Sequence, residues 1–184
     1  QGAPTDRNLV VVHRYAEALK RAQIEGRIRR PVRLLFLAYA DVLQPPSRPL
    51  PDSFDTQTGI ATYFPIARCY VHRLNDPTCS GNSRYLTHLL GWAEKPERTY
   101  RGQLCIGEYY NVSGYKCLPA CYMHTMDQDI PYYYSLGARH FHYMHCTTRD
   151  WGTKALTNWQ MARQLWDPSV APEVLWEDYF VSRY

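Results

Sequence analysis

The chain has 184 residues, a net charge of +4, 45% hydrophobic and 21% charged residues. That length suits one domain, residues 1–184, with a real core. No apolar stretch approaches the ~18 residues of a membrane-spanning helix, and the densest basic patch, Arg27 to Arg33, lacks interleaved aromatics, which argues for a solvated loop and against a nucleic-acid face.

Six Cys are too sparse for a disulfide scaffold. Cys69 and Cys79 flank a loop and are spaced to bridge, Cys117 and Cys121 stand four apart, and Cys105 reads as a small buried hydrophobe. C-x-x-C is absent, no zinc framework stands out, and no cofactor is expected. The 16 Tyr and 5 Trp are the unusual feature. Their rings stack on flat apolar surfaces such as sugars, and their polar tips suit wet clefts. The chain opens on Gln1 with neither initiator Met nor signal peptide, so a longer precursor is expected.

In chain order, Thr5 to Glu25 has helical periodicity, with Leu9, Val12, Ala16 and Leu19 on one face, Thr5 or Asp6 as cap and Gly26 beyond the end. Val32 to Tyr39 is a near-continuous apolar run, the pattern of a parallel strand buried on both faces. Asp41 follows it, and then a loop rich in proline (Pro45, Pro46, Pro49, Pro51). Gly59 to Ile66 reads as a second strand with Pro65 irregular at its end. Asn82 or Ser83 caps a helix to about Lys95. Gln103 to Asn111 begins as a short apolar strand and ends in Glu108, Tyr109, Tyr110 and Asn111. A helix is expected near Ala120 to Leu136, disturbed in its middle by Pro131, and Gly137 stops it. Arg139 to Cys146 is a fourth strand, Thr153 caps a helix to Trp166, and Ala171 to Ser182 is the last helix.

Four strand-and-helix units imply an α/β fold with a parallel sheet and right-handed crossovers. A complete (β/α)₈ TIM barrel needs ~250 residues, so four parallel strands with flanking helices make a half-barrel. The alternative is an open doubly wound parallel sheet, which lacks here any G-x-G-x-x-G or P-loop. Half a barrel exposes strand edges and its inner face, so an N-terminal half-barrel or a partner covering the seam is expected.

The segments HRYAEALK, LLFLAYADVLQPP, CYVH followed by a Cys and an Asn, GEYYN, and NWQMARQLWDPSVAPEVLWEDYF together resemble the C-terminal part of an uncharacterised bacterial family. That family is grouped with the TIM-barrel glycosidases, near the α-glucuronidases and β-hexosaminidases. The resemblance spans about residues 10 to 182 and is densest in the Leu-Trp-Asp-Pro helix end near Trp166. It implies a glycoside-hydrolase-like domain acting on a carbohydrate, an acidic sugar included. It also implies a periplasmic or extracellular setting, and a proton donor carried on an earlier half that this chain lacks, so that the chain alone is inactive. Glu108-Tyr109-Tyr110 stands at the family's acidic or aromatic cluster, and His72 at its His after the second of these strands. His145-Cys146 departs from the acidic residue or Gln the resemblance leads one to expect.

Glycoside hydrolysis needs two carboxyl groups across the scissile bond. Glu108 and Asp41 are the acids at strand ends here. Glu108 either faces a sugar-binding cleft or pairs with an arginine such as Arg68 or Arg149 and orders loops. Tyr39, Tyr109, Tyr110 and Trp151 are candidates for a sugar platform, with His145 beside them on the fourth strand. Arg68 and His72 can hold a carboxylate or hydroxyl. A second class is a metal-dependent hydrolase using His140 and His142, which share one strand face; His145 points oppositely and His124 lies on a helix. A third is carbohydrate binding without catalysis. No membrane partner is expected.

Overall fold

Four apolar runs pair as a parallel sheet in a computed structural model that describes residues 2–93, 100–110, 121–144 and 151–183, Trp151 by its backbone alone. They are β1 (Leu34–Ala38), β2 (Gly59–Tyr63), β3 (Gln103–Glu108) and β4 (Ala138–Tyr143), in the order β1-β2-β3-β4. Helix α1 (Pro4–Ile24) precedes β1, α2 (Ser80–Ala93) joins β2 to β3, and α3 (Met123–Ser135) joins β3 to β4. Helices α4 (Ala155–Trp166) and α5 (Pro172–Arg183) follow. No helix among the described residues is long and apolar enough to cross a membrane.

The sheet is open, and its order runs with the sequence without the reversal that marks a doubly wound sheet. Register places Phe36, Ala61 and Leu104 abreast, with Ala38, Tyr63 and Ile106 one step on. These side chains share one buried cluster with Leu9 and Val12 of α1, Leu89 and Trp92 of α2, and Tyr133 of α3. Three helices therefore cover the same face, α2 and α3 as the crossovers between sequential strands and α1 ahead of β1. An open, parallel sheet of this kind is not a closed barrel and is consistent with a half-barrel or with a doubly wound fold. The connection from β1 to β2 has no helix of its own, only a 3₁₀ turn at Ala40–Val42 and the proline-rich loop.

Polar tips of the core aromatics are satisfied by backbone carbonyls of neighbouring elements. Trp92 Nε1 donates to the Leu43 carbonyl at 2.9 Å, Tyr63 Oη to Tyr85 at 2.7 Å, and Tyr100 Oη to Gly59 at 2.9 Å. Outside the sheet, amides tie the last three helices. Gln160 donates from Nε2 to the Met123 carbonyl at 2.8 Å, and its Oε1 accepts from Trp176 Nε1, while Gln164 reaches Asp127.

Four expectations change. Asn82 and Ser83 lie inside the first turn of α2 and do not precede it, and Lys154, not Thr153, precedes α4. The strand β1 is not buried on both faces: Leu35 and Leu37 point away from the helices and are each 51% exposed. Neither Thr5 nor Asp6 is the residue before α1, which is Ala3. Asp6 sits inside the first turn and accepts from Ala3 N, and Thr5 donates to the Gln44 carbonyl, fastening the proline-rich loop to the helix.

Candidate functional site

Even-numbered residues of β3 face the helices, and Glu108 is the last of them. Its side chain is fully buried, turned toward α3 and away from the open face. Tyr133 Oη donates to Glu108 Oε1 at 2.5 Å, Tyr70 Oη to Oε2 at 2.8 Å, and Tyr109 N to Oε2 at 3.2 Å. Arg68 Nε lies 3.1 Å from Oε1. Its N–H does not point along that contact, so the attraction is Coulombic and not a directed hydrogen bond. The other arm of Arg68 pairs with Asp129 of α3, whose second oxygen accepts from Leu74 N at 2.7 Å. Tyr110 closes the cluster with its hydroxyl 3.3 Å from Asp129. The Arg68 guanidinium stacks over the Tyr70 ring at 4.3 Å.

This is an enclosed ion cluster, two carboxylates about one guanidinium, walled by three phenols. Burial pushes the Asp129 carboxyl up to about 6, with Glu108 adding to that and Arg68 opposing it. The Arg68 guanidinium is held more firmly protonated than usual, because Glu108, two phenols and Asp129 outweigh its burial. The Tyr70, Tyr110 and Tyr133 hydroxyls are all pushed up, first by burial, so they stay protonated donors. Such an arrangement positions loops: Arg68 and Tyr70 come from the segment after β2, Asp129 and Tyr133 from α3. Glu108 as a cleft-facing acid is therefore corrected. The pairing with Arg68 is the reading of this residue that the geometry bears out.

Asp41 does not join it. It is exposed on the turn after β1, and β2 lies between β1 and β3, so the strand axes are roughly 10 Å apart. With Glu108 turned to the helices, the two acids do not flank a common space. Ala40, just before Asp41, takes a left-handed backbone with φ of 52°, rare for a residue with a Cβ. The chain turns there, leaving Tyr39 on the rim and Asp41 in solvent.

The open face carries a different assembly at the same end of the sheet. Phe64 continues from β2 and lies over Gly107 of β3, where an added Cβ would meet its ring at 2.0 Å. Around Phe64 stand Tyr39 at 6.1 Å, Tyr109 at 5.8 Å and His142 at 5.4 Å between ring centres, all edge-on. Each strand thus sends one ring to its C-terminal end. Phe64 and Tyr109 are buried, Tyr39 is half-buried and His142 is exposed.

Of the remaining candidates, Tyr110 is wholly enclosed in the ion cluster and cannot meet a ligand. Arg68 is likewise buried. His72 is exposed, with Nδ1 3.3 Å from Cys69 Sγ. His140 and His142 do share the open face, and His140 Nε2 is 2.8 Å from Gln103 Oε1. Neither belongs to a cluster of metal-ligating side chains among the described residues; Cys69, His72 and Cys79 form that cluster instead. Cys69 and Cys79 are free thiols. His145, Arg149, Cys117 and Cys146 lie outside the described residues, as does the side chain of Trp151.

Asp129 was missed in the sequence, although it was marked there. It sits among Met126, Ile130 and Tyr133 on the buried face of α3, an acid in an apolar stripe. The facing of Glu108 was also marked: it shares parity with Leu104 and Ile106, while Cys105 and Gly107 alternate with them. Comparison with protein families, curated proteins and solved structures finds no match to this chain.

Proposed function

We propose that this chain binds carbohydrate on the aromatic rim at the C-terminal ends of its strands, and that Glu108 takes no part in bond cleavage. The observation that carries the reading is the ring cluster of Tyr39, Phe64, Tyr109 and His142. Parallel α/β sheets gather their ligands at this end of the strands. Phe64 and Tyr109 form a fixed floor, and Tyr39 and His142 offer ring surface to a sugar. Asp41, exposed beyond Tyr39, is placed to accept from sugar hydroxyls. The resemblance to glycosidase barrels favours the same substrate class. It does not supply a catalytic pair, because Glu108 is enclosed and Asp41 is far from it.

The test is titration calorimetry with a panel of neutral and uronic-acid oligosaccharides. Tyr39→Ala is expected to weaken binding about 2–12-fold, the value of a ring contact of ~0.5–1.5 kcal/mol. Glu108→Gln is expected to leave affinity unchanged. Absence of binding across the panel overturns the reading. So does glycoside turnover by the wild-type chain that disappears in Glu108→Gln.

A further inference from the structure

Soft donor atoms converge in the loop after β2, outside both the ion cluster and the aromatic rim. Cys69 Sγ, Cys79 Sγ and an imidazole nitrogen of His72 all lie within 4.8 Å of one another. Among the described residues no fourth histidine, cysteine or carboxylate joins them.

The loop that presents them is fixed by one buried side chain. Asn82, in the first turn of α2, accepts from Cys69 N at 2.8 Å. Its amide nitrogen reaches the carbonyls of Cys69 at 3.2 Å, His72 at 3.3 Å and Arg73 at 3.0 Å. Asn82 thus commits both ends of its amide to the backbone carrying two of the three donors. Cys79 is set by its own N–H, which donates to Asp76 at 3.2 Å, and by its carbonyl, which accepts from Asn82 N at 3.1 Å. Three donors held this way are preorganised before any ligand arrives.

We propose that Cys69, His72 and Cys79 bind a zinc ion through two thiolates and one imidazole. Zinc takes nitrogen and sulfur donors in a tetrahedral shell, whereas calcium and magnesium require oxygen. As each sulfur–zinc bond forms, that thiol's proton passes to solvent. A Cys69–Cys79 disulfide is the competing fate of the same sulfurs; it needs an external oxidant and gives His72 no role. The ion would lock the segment that sends Arg68 and Tyr70, the neighbours of Cys69, into the buried cluster around Glu108.

The experiment uses the full chain purified under reducing conditions without chelator. Elemental analysis is expected to give stoichiometric zinc. Cobalt(II) added to the metal-free chain is expected to give a thiolate-to-cobalt charge-transfer band with tetrahedral d–d bands. Zinc falls to background in Cys69→Ser and Cys79→Ser and stays stoichiometric in Cys121→Ser, whose residue is exposed elsewhere. If the serine variants fail to fold, the cobalt spectrum of the wild-type chain still decides. The proposal is overturned if the reduced wild-type chain takes up neither metal, if Cys121→Ser loses zinc as fully as Cys69→Ser, or if mass spectrometry finds Cys69 and Cys79 already bridged in that preparation.

Discussion

One guanidinium cannot neutralise two enclosed carboxylates at once, and Asp129 carries the difference. Its folded-state pKa of about 6 stands above the ordinary 3.8. Between those values the folded chain keeps a proton that the unfolded chain has released, so folding is favoured toward acid. The contribution is complete below about pH 3.8 and is lost as pH rises through about 6. Asp6, Asp55, Asp76 and Asp167 act in the opposite sense: hydrogen bonds in the folded chain hold their carboxyls low. They are common to wild type and variant and cancel in a comparison. Asp129→Asn keeps an acceptor for Leu74 N but cannot titrate. Relative to this variant, the wild-type chain is expected to lose stability from about pH 4 to about pH 7, on the order of 3 kcal/mol in all. Thermal unfolding followed by circular dichroism across that range measures it, and a difference that stays flat removes Asp129 as the titrating group.

At the scale of elements, the end of β3 does two jobs on its two faces. Glu108 closes the helix side, and Gly107 admits the Phe64 ring on the open side. A methyl at position 107 would overlap that ring, and Phe64 in turn braces Tyr109 and His142. Gly107→Ala is therefore expected to destabilise the fold by about 1–3 kcal/mol and to weaken sugar binding at least as much as Tyr39→Ala. Denaturant unfolding gives the first, calorimetry the second. Unchanged stability would mean that Phe64 moves aside freely and that the ring cluster is not a fixed floor. The helix placements were legible because their periodicity is local: α1, α2, α4 and α5 fall within a few residues of the stretches expected. In α3 the pattern also survives Pro131, which the helix runs straight through.

For the molecule as a whole, sequential winding leaves one sheet face without helices. Its centre at Ile60, Thr62 and Cys105 is buried all the same, and its flanks on β1 and β4 are exposed. Helices covering one face leave the other to whatever lies against it, and β1 ends the sheet with Leu35 and Leu37 half in water. An apolar edge strand favours association between copies. Leu37→Lys is expected to change stability by less than about 0.5 kcal/mol, as for surface positions generally, and to suppress concentration-dependent light scattering. Scattering that is unaffected places the association elsewhere.

By itself the sequence determined the strand–helix alternation, the parallel sheet and the clustering of Glu108, Tyr109 and Tyr110 at a strand end, because hydrophobic period and turn residues act over a few neighbours. It also held Arg68 as an alternative partner for Glu108. Only the tertiary structure decided between that pairing and a cleft, since the choice depends on which sheet face the helices cover and on Asp129 arriving from α3, far along the chain. The convergence of Cys69, His72 and Cys79 was hidden for the same reason: their spacing matches no compact ligand motif, and it takes Asn82 folding the loop back on α2 to bring the donors together.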